Sequence, residues 1–146
     1  MPNSAQFAIR AAVAARLLAS PALAGGNVRP GTRRPMAQAV NAQVHVDLDE
    51  SPATGAALNT TEWSTRIRVE CIARETATAA DLAADALVTA VHDRLMAEPT
   101  LSGAAIDTRP LGIAWVPDDE ADASLAVCQA LFLVRHRTPR ASIATA

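Results

Sequence analysis

The 146-residue sequence contains no tyrosine and no lysine, only two cysteines and only 3% aromatic residues. Two cysteines cannot build the disulfide framework of a small secreted domain. No apolar run approaches the roughly 18 residues that a membrane-spanning helix requires. All thirteen basic residues are arginine, and the formal net charge is -2. Since specific nucleic-acid-binding domains are usually clearly basic and use stacking aromatics, this composition argues against sequence-specific nucleic-acid recognition.

Alanine supplies nearly a quarter of the chain, and half of all residues are hydrophobic. This is enough apolar material for one domain, which we expect to span residues 1–146, with a long flexible loop at 22–38 and a disordered tail at 139–146. Alanine buries little area per residue, and burial contributes roughly 25 cal/mol per Å². We therefore expect a modestly stable domain that gains stability from partner subunits.

The N-terminal segment ends in Ala22-Leu23-Ala24, which resembles a signal-peptidase site. Arg10 and Arg16 interrupt the apolar stretch before it, whereas a secretory segment needs roughly 7–15 uninterrupted apolar residues. We therefore interpret this segment as an amphipathic helix that begins near Ala5 with Ser4 as its cap. A small secreted binding domain, cleaved at this site, is the alternative interpretation.

Hydrophobic periodicity predicts the remaining elements. In chain order they are a short strand around Val28, a strand over Val40–Leu48, a strand over Trp63–Ala73, a helix over Thr78–Ala97, a strand over Leu111–Trp115 and a strand over Ser124–Thr138. Residues 49–61, which include Pro52 and Gly55, are interpreted as a turn-rich loop. This order predicts an α+β fold: a mainly antiparallel sheet of four to five strands with two helices packed on one face.

Both predicted helices carry an apolar stripe. The stripe of the first helix consists of Phe7, Ala11, Ala14, Leu17 and Leu18. The stripe of the second consists of Ala80, Ala84, Leu87, Val88, Val91 and Leu95. The second helix is expected to begin with a capping box at Thr78–Asp81, in which aspartate replaces the usual glutamate.

The last predicted strand is apolar on both faces over Leu125–Val134. Two helices can cover only one face of the sheet, so the other apolar set needs a different cover. Two covers are open at this stage: the 22–38 loop, or a neighbouring subunit that meets an apolar centre surrounded by arginine and aspartate.

Motifs of catalysis and nucleotide binding are absent: the sequence has no GxGxxG, Walker loop, GxSxG or CxxC. Period-two spacing puts His45, Asp47 and Asp49 on one strand face, where they could bind a divalent ion. We favour a solvated face, since Arg66 and Arg68 on the next strand supply the opposite charge. The sequence therefore predicts no enzyme, no metal site and no cofactor.

Cys71 and Cys128 each lie in an apolar run. Cysteine is among the residue types most often buried, and these two are far apart in the sequence. We therefore predict two buried free thiols rather than a disulfide.

With its elements in this order, the chain resembles the tail-terminator proteins of long-tailed bacteriophages, the lambda-type minor tail protein family. The resemblance runs from the first helix to Thr138. It rests on the segments AVNAQVHVDLDE, EWSTRIRVECIARE, DLAADALVTAVHDRLMAEPTL and PDDEADASLAVCQALFLVRHRT. The loop at 22–38 is long for the family, and His136 and Phe132 stand where tyrosines are frequent.

The resemblance implies a structural virion protein without catalysis. Family members form a homohexameric ring that caps the tail tube, ends tail polymerisation and provides the surface for head attachment. The implied partners are further copies of the chain, the tail-tube protein and a neck or head-completion protein, with no membrane. DNA passes through the pore without sequence-specific binding. The implied location is the head-proximal end of the tail in the virion, after assembly in the host cytoplasm. Another neck or head–tail connector protein is the alternative.

A ring needs two different surfaces of each subunit to meet. We assign these contacts to the sheet face that carries arginines and to the two loops. The predicted interface residues are Arg29, Arg33, Arg34, Arg66, Arg68, Asp118, Asp119, Glu120, Arg135 and Arg137.

Overall fold

The computed structural model describes residues 3–31, 35–116 and 124–144. The described chain contains two α-helices, α1 (Ala5–Leu18) and α2 (Ala80–Ala97). Short 3₁₀ segments follow each helix, at Leu23–Gly26 and Leu101–Gly103. The strands are β1 (Val28–Pro30), β2 (Ala42–Leu48), β3 (Ala53–Ala57), β4 (Thr60–Arg74), β5 (Asp107–Val116) and β6 (Leu125–Pro139).

The strands form one sheet in the order β1-β2-β4-β6-β5, and β3 also pairs with β4. All pairings are antiparallel except that between β1 and β2. The two longest strands are the central ones: β4 and β6 pair continuously from Thr60 opposite Pro139 to Arg74 opposite Leu125.

β2 and β3 lie end to end along the same edge of β4. Between them the backbone continues to pair with β4: the amide of Asp49 donates to the carbonyl of Arg66, and the amide of Ser64 donates to the carbonyl of Pro52. The pairing slips from one strand to the next, because a proline cannot continue the ladder. This interrupted strand replaces the turn-rich loop predicted at 49–61, and it raises the strand count to six.

Both helices pack on the same face of the sheet. α1 packs on β1 and β2, α2 packs on β4 and β6, and the helices contact each other. The core between them consists mainly of aliphatic side chains with one phenylalanine, Phe132, which is 1% exposed. The helices contribute Ile9, Val13, Leu17, Ala84, Val88, Val91 and Leu95 to this core. The predicted α+β class, with two helices on one face of a mainly antiparallel sheet, is confirmed.

The C-terminal ends of the two helices are joined by arginines. The Arg94 guanidinium donates to the carbonyls of Arg16, Ala19 and Pro21, at Nη–O distances of 3.4, 2.6 and 2.8 Å. Arg16 in turn donates through Nε to the Arg94 carbonyl and forms an ion pair with Glu98 at 3.4 Å. Carbonyls at the end of α1 and in the segment just after it are thus satisfied by a cation.

Two predicted details of the helices are wrong. The stripe of α1 includes Ile9 and Val13, whereas Phe7 and Leu18 are 46% and 40% exposed. The N-cap of α2 is Ala79, which has no side-chain hydrogen bond, so the capping box at Thr78–Asp81 does not form. The Ser4 cap of α1 is correct: its hydroxyl accepts from the amide of Phe7 at 3.3 Å.

No helix in the described part of the chain is long and apolar enough to cross a bilayer. Cys71 and Cys128 are free and buried, as predicted, and stand opposite each other on β4 and β6. Burial raises the pKa of both thiols. Beyond β6, the amide of Ala5 donates to the carbonyl of Ile143 at 2.7 Å.

Candidate assembly surface

The sheet face opposite the helices, here called the open face, is defined by the strand register. Residues paired directly across strands share a face, and side chains alternate along each strand. On β4 and β6 the open face presents Glu62, Ser64, Arg66, Arg68, Glu70, Ile72, Leu125, Val127, Gln129, Leu131, Leu133, Arg135 and Arg137. On β4, the odd-numbered residues from Thr65 onward face the helices.

Leucines form the apolar centre of the open face. Leu131 and Leu133 on β6 are half-buried, and they stand opposite Arg68 and Arg66 on β4. On the other side, Arg109 of β5 stands opposite Leu133. Apolar side chains flanked by arginine are typical of protein interfaces, where arginine is enriched.

The arginines of this face differ in how they are paired. Arg66 forms an ion pair with Glu50 at 3.1 Å and approaches Asp49 at 4.0 Å. Within the described residues, Arg68 and Arg109 form no ion pair or hydrogen bond through their guanidinium groups. Unpaired guanidinium groups beside half-buried leucines can donate to carboxylates of a partner.

At the Thr138 end of the open face, Glu62 pairs with two arginines. Its carboxylate accepts from Nε and Nη2 of Arg135 at 3.0 and 2.6 Å and from Arg137 at 3.4 Å. The hydrogen bond from Arg135 holds the pKa of Glu62 below its usual value. The same hydrogen bond raises the pKa of Arg135. This cluster keeps the end of the face ionised and ordered at neutral pH.

The opposite corner of the open face is covered by the chain itself. Ile72 and Val127 are 1% and 5% exposed there. The segment 35–40 borders this corner: the carbonyl of Val40 accepts from Nε of Arg74 at 3.3 Å. The cover therefore extends over one corner of the face, while Leu131 in its middle is only half-buried.

The 22–38 loop, one of the two covers that the sequence left open, does not lie over the leucine centre in its described part. Its first part, Leu23–Gly26, contacts α1, α2 and β2 on the helix side of the sheet. Its next part is strand β1, at the sheet edge beside β2. The described part of the 22–38 loop thus leaves the leucine centre open.

The structure brings together half of the predicted interface residues. By register, Arg29 on β1 stands beside His45 and so shares the open face with the four arginines of β4 and β6. The other predicted residues, Arg33, Arg34, Asp118, Asp119 and Glu120, lie outside the described residues.

His45, Asp47 and Asp49 do not assemble into a metal site. His45 is 1% exposed and hydrogen-bonds through Nε2 to the Gln43 side chain, so the prediction of a solvated face is wrong for this residue. Asp47 stands opposite Arg68, as the charge pattern predicts. Among the described residues, no group of three histidine, cysteine or acidic side chains could hold a metal ion.

A buried polar chain on the helix side was not predicted from the sequence. Gln6 donates to Ser51 Oγ at 3.2 Å, Ser51 Oγ lies 2.7 Å from Thr65 Oγ1, and Thr65 Oγ1 lies 2.6 Å from Nε2 of His136. Burial lowers the pKa of His136. The chain links α1, the β2–β3 junction, β4 and β6, and its neutral histidine fits a structural role.

A second feature missed from the sequence is the outer half of β5. Ile113 and Trp115 are 43% and 64% exposed although they share the helix face with Ala130 and Cys128. The alternation of Leu111, Ile113 and Trp115 predicted a strand with a buried side. This part of β5 extends beyond the area that the helices cover. The side of the strand that was predicted to be buried is therefore exposed in the isolated chain.

Comparison with known proteins gives a fold likeness. No family model matches the chain, and no curated protein matches it significantly. Among solved structures, it is similar to a chain of the virion of the native gene transfer agent particle, with a TM-score of 0.52 and 18% sequence identity. The likeness covers 89% of this chain and 95% of that chain. At this identity, the likeness establishes a shared fold.

Proposed function

We propose that this chain is a non-catalytic structural subunit of a phage-like virion. The observation that carries the proposal is the likeness to a chain of the gene transfer agent virion, which covers 89% of one chain and 95% of the other. Near end-to-end coverage means that the two chains share a whole domain rather than a common substructure. The proposed location of the chain is the virion, which is assembled in the host cytoplasm.

Within the virion, the proposed role is that of a tail terminator. The chain forms a homohexameric ring at the head-proximal end of the tail, binds the tail-tube protein on one side and a neck or head-completion protein on the other, and lets DNA pass without sequence-specific binding. Support comes from the order of elements in the sequence and from an open face with half-buried Leu131 and Leu133 beside Arg68, which forms no ion pair with any described residue. Such a face completes its burial on a neighbouring protein.

The test is assembly of the purified chain. Light scattering and negative-stain electron microscopy, with and without isolated tail tubes, should show six-membered rings, or rings bound at one end of the tubes. Tubes polymerised with the chain present should be shorter than tubes polymerised without it. A chain that stays monomeric at every concentration and does not bind tubes would contradict the proposal.

A different connector role is the second candidate, because the fold likeness to a virion chain does not specify a position in the particle. Binding assays separate the two candidates. A terminator binds tail tubes in the absence of heads, whereas a head-closure protein binds DNA-filled heads in the absence of tails.

A further inference from the structure

The outer edge of β5 has no strand partner in the described part of the chain, because β5 is the last strand in the sheet order. The outer half of this strand, Gly112–Val116, contains no charge and no proline. Its side chains Ile113 and Trp115 are 43% and 64% exposed. An exposed, uncharged and apolar edge strand is a template for pairing with another chain.

The first half of the same strand is protected against such pairing. It contains Asp107, Arg109 and Pro110, and the register with β6 shifts between Pro110 and Gly112. Charges, prolines and bulges are the features by which proteins block edge pairing. Since only one half of β5 is blocked, its outer half is the part available to a partner strand.

A second unprotected edge lies on the far side of the sheet. Strand β3, Ala53–Ala57, has five residues, all exposed, with no charge and no proline, and its register with β4 shifts once, between Ala53 and Gly55. The remaining edge strand, β1, is blocked: it has three residues and contains Arg29 and Pro30. Gly112–Val116 and Ala53–Ala57 therefore match in length and in their lack of charge and proline, and the pairing of Gly55–Ala57 with β4 is regular.

Strand directions make these two edges compatible. β3 and β6 are antiparallel to β4, and β5 is antiparallel to β6, so β5 and β4 point the same way. When two copies lie side by side in the same orientation, β5 of one copy is antiparallel to β3 of the next. The alternation of the sheet then continues across the junction.

We propose that Gly112–Val116 of one copy pairs antiparallel with Ala53–Ala57 of a second copy. The contact joins two different surfaces, and its repetition gives a ring when the rotation between copies closes. This inference rests on the proposed function, which requires such a ring. β3 lies level with Thr60–Trp63 of β4, whereas Gly112–Val116 lies level with Arg68–Ile72. The pairing therefore staggers neighbouring copies along the strands, as closure of a tilted sheet demands.

Disulfide cross-linking tests this pairing. With the two edges fully overlapped, Ala114 lies opposite Gly55, and both belong to the open face by register. A Cβ at Gly55 would meet only the Cβ of Glu62, at 3.6 Å, which is ordinary contact. The variant Gly55→Cys/Ala114→Cys, oxidised under assembling conditions, should give a ladder of covalent oligomers. The same ladder from Ala57→Cys/Ala114→Cys would indicate that the two strands pair in a register displaced by two residues.

The single variants are the matched controls, since Cys71 and Cys128 are fully buried. Ala114→Cys alone and Gly55→Cys alone should give no ladder. Efficient dimers from Ala114→Cys alone would show two β5 edges paired around a two-fold axis and would overturn the proposal. Absence of cross-links from both double variants in assembled protein would also overturn it.

A charge placed on the edge gives an independent test. Ile113→Lys should raise the concentration needed for half-assembly by about tenfold or more, since lysine blocks edge pairing. Leu18→Lys on α1 is the control, because Leu18 is 40% exposed against 43% for Ile113. Rings that persist unchanged in Ile113→Lys overturn the edge pairing alone. A wild-type chain that neither assembles nor binds tail tubes overturns the proposed function as well.

Discussion

The two faces of the sheet are built from alternating residues of the same strands, yet they differ in what completes them. On β6, Phe132 and Val134 are buried under the helices, whereas their immediate neighbours Leu131 and Leu133 are half-buried and flanked by arginines. On β6 the helix face is therefore buried within the chain, from Cys128 to Thr138. The open face combines apolar side chains, as in a core, with charged side chains, as on a surface. This composition is typical of a surface that binds a neighbouring protein.

The largest effect is expected on the helix face. Val91 is 0% exposed in the core of α2, so Val91→Asp buries a charge without a partner and should abolish cooperative folding. Circular dichroism during thermal unfolding measures this. Ala86→Asp, at an exposed position of the same helix, is the control and should keep a cooperative transition. A folded Val91→Asp variant would mean that the two faces of α2 are wrongly assigned.

Adjacent residues of β6 allow a direct comparison of the two faces. Phe132→Ala should lower the free energy of unfolding of the monomer by about 3–5 kcal/mol, because it leaves a cavity in the core. Leu131→Ala should lower it by only about 1–2 kcal/mol, since this side chain is half-buried. Urea denaturation at concentrations below assembly gives both values. Equal losses would show that the open face is as complete as the helix face.

Charge reversal on the open face should separate assembly from folding. Arg66→Glu/Arg68→Glu should weaken assembly by roughly tenfold or more, because it inverts the charge around the leucine centre. The monomer should lose less than about 1 kcal/mol, since exposed ion pairs contribute little to stability.

Light scattering and urea denaturation give the two readouts for this variant. Arg10→Glu, which reverses a charge on α1 and off the open face, is the control and should leave assembly intact. Unchanged assembly in Arg66→Glu/Arg68→Glu would remove the open face from the interface.

The smallest effect concerns the buried polar chain of the helix face. Because burial lowers the pKa of His136, the unfolded chain binds more protons than the folded chain just below pH 6.5. Stability should therefore be complete above this pH and fall as the pH drops through 6.5 towards the lower folded pKa. Thermal unfolding at pH 7.5 and 5.5 should show this fall, and His136→Asn should reduce it. An unchanged slope would assign the pH dependence to other groups.

Sequence patterns predicted the parts of the fold in which local periodicity and burial agree. The stripe of α2 through Ala84, Val88, Val91 and Leu95 corresponds to what is buried. In β2 the alternation predicted the burial of Val44 and Val46 but not that of Gln43 and His45 on the other face. Sequence patterns failed in part for α1, because an alanine-rich helix offers weak contrast between faces. Ala14 and Leu17 are buried as predicted, but Ile9 and Val13, not Phe7 and Leu18, complete the buried face.

The missed strand, β3, has no local signal at all. Its sequence ATGAA lacks alternation and contains Gly55, and its pairing with Thr60–Trp63 of β4 defines it as a strand. For the candidate surface, period two predicted that Arg66 and Arg68 share a face. The partners of those arginines depend on strand register, which only the assembled sheet fixes.

The pair of arginines between the helices has a mechanical consequence. Arg94 holds three carbonyls at the end of α1, and Arg16 holds a carbonyl of α2 in return. Sliding or rotating one helix against the other would break several charge-assisted hydrogen bonds at once. We therefore expect the two helices to move together relative to the sheet. A force applied to either helix is then shared by both.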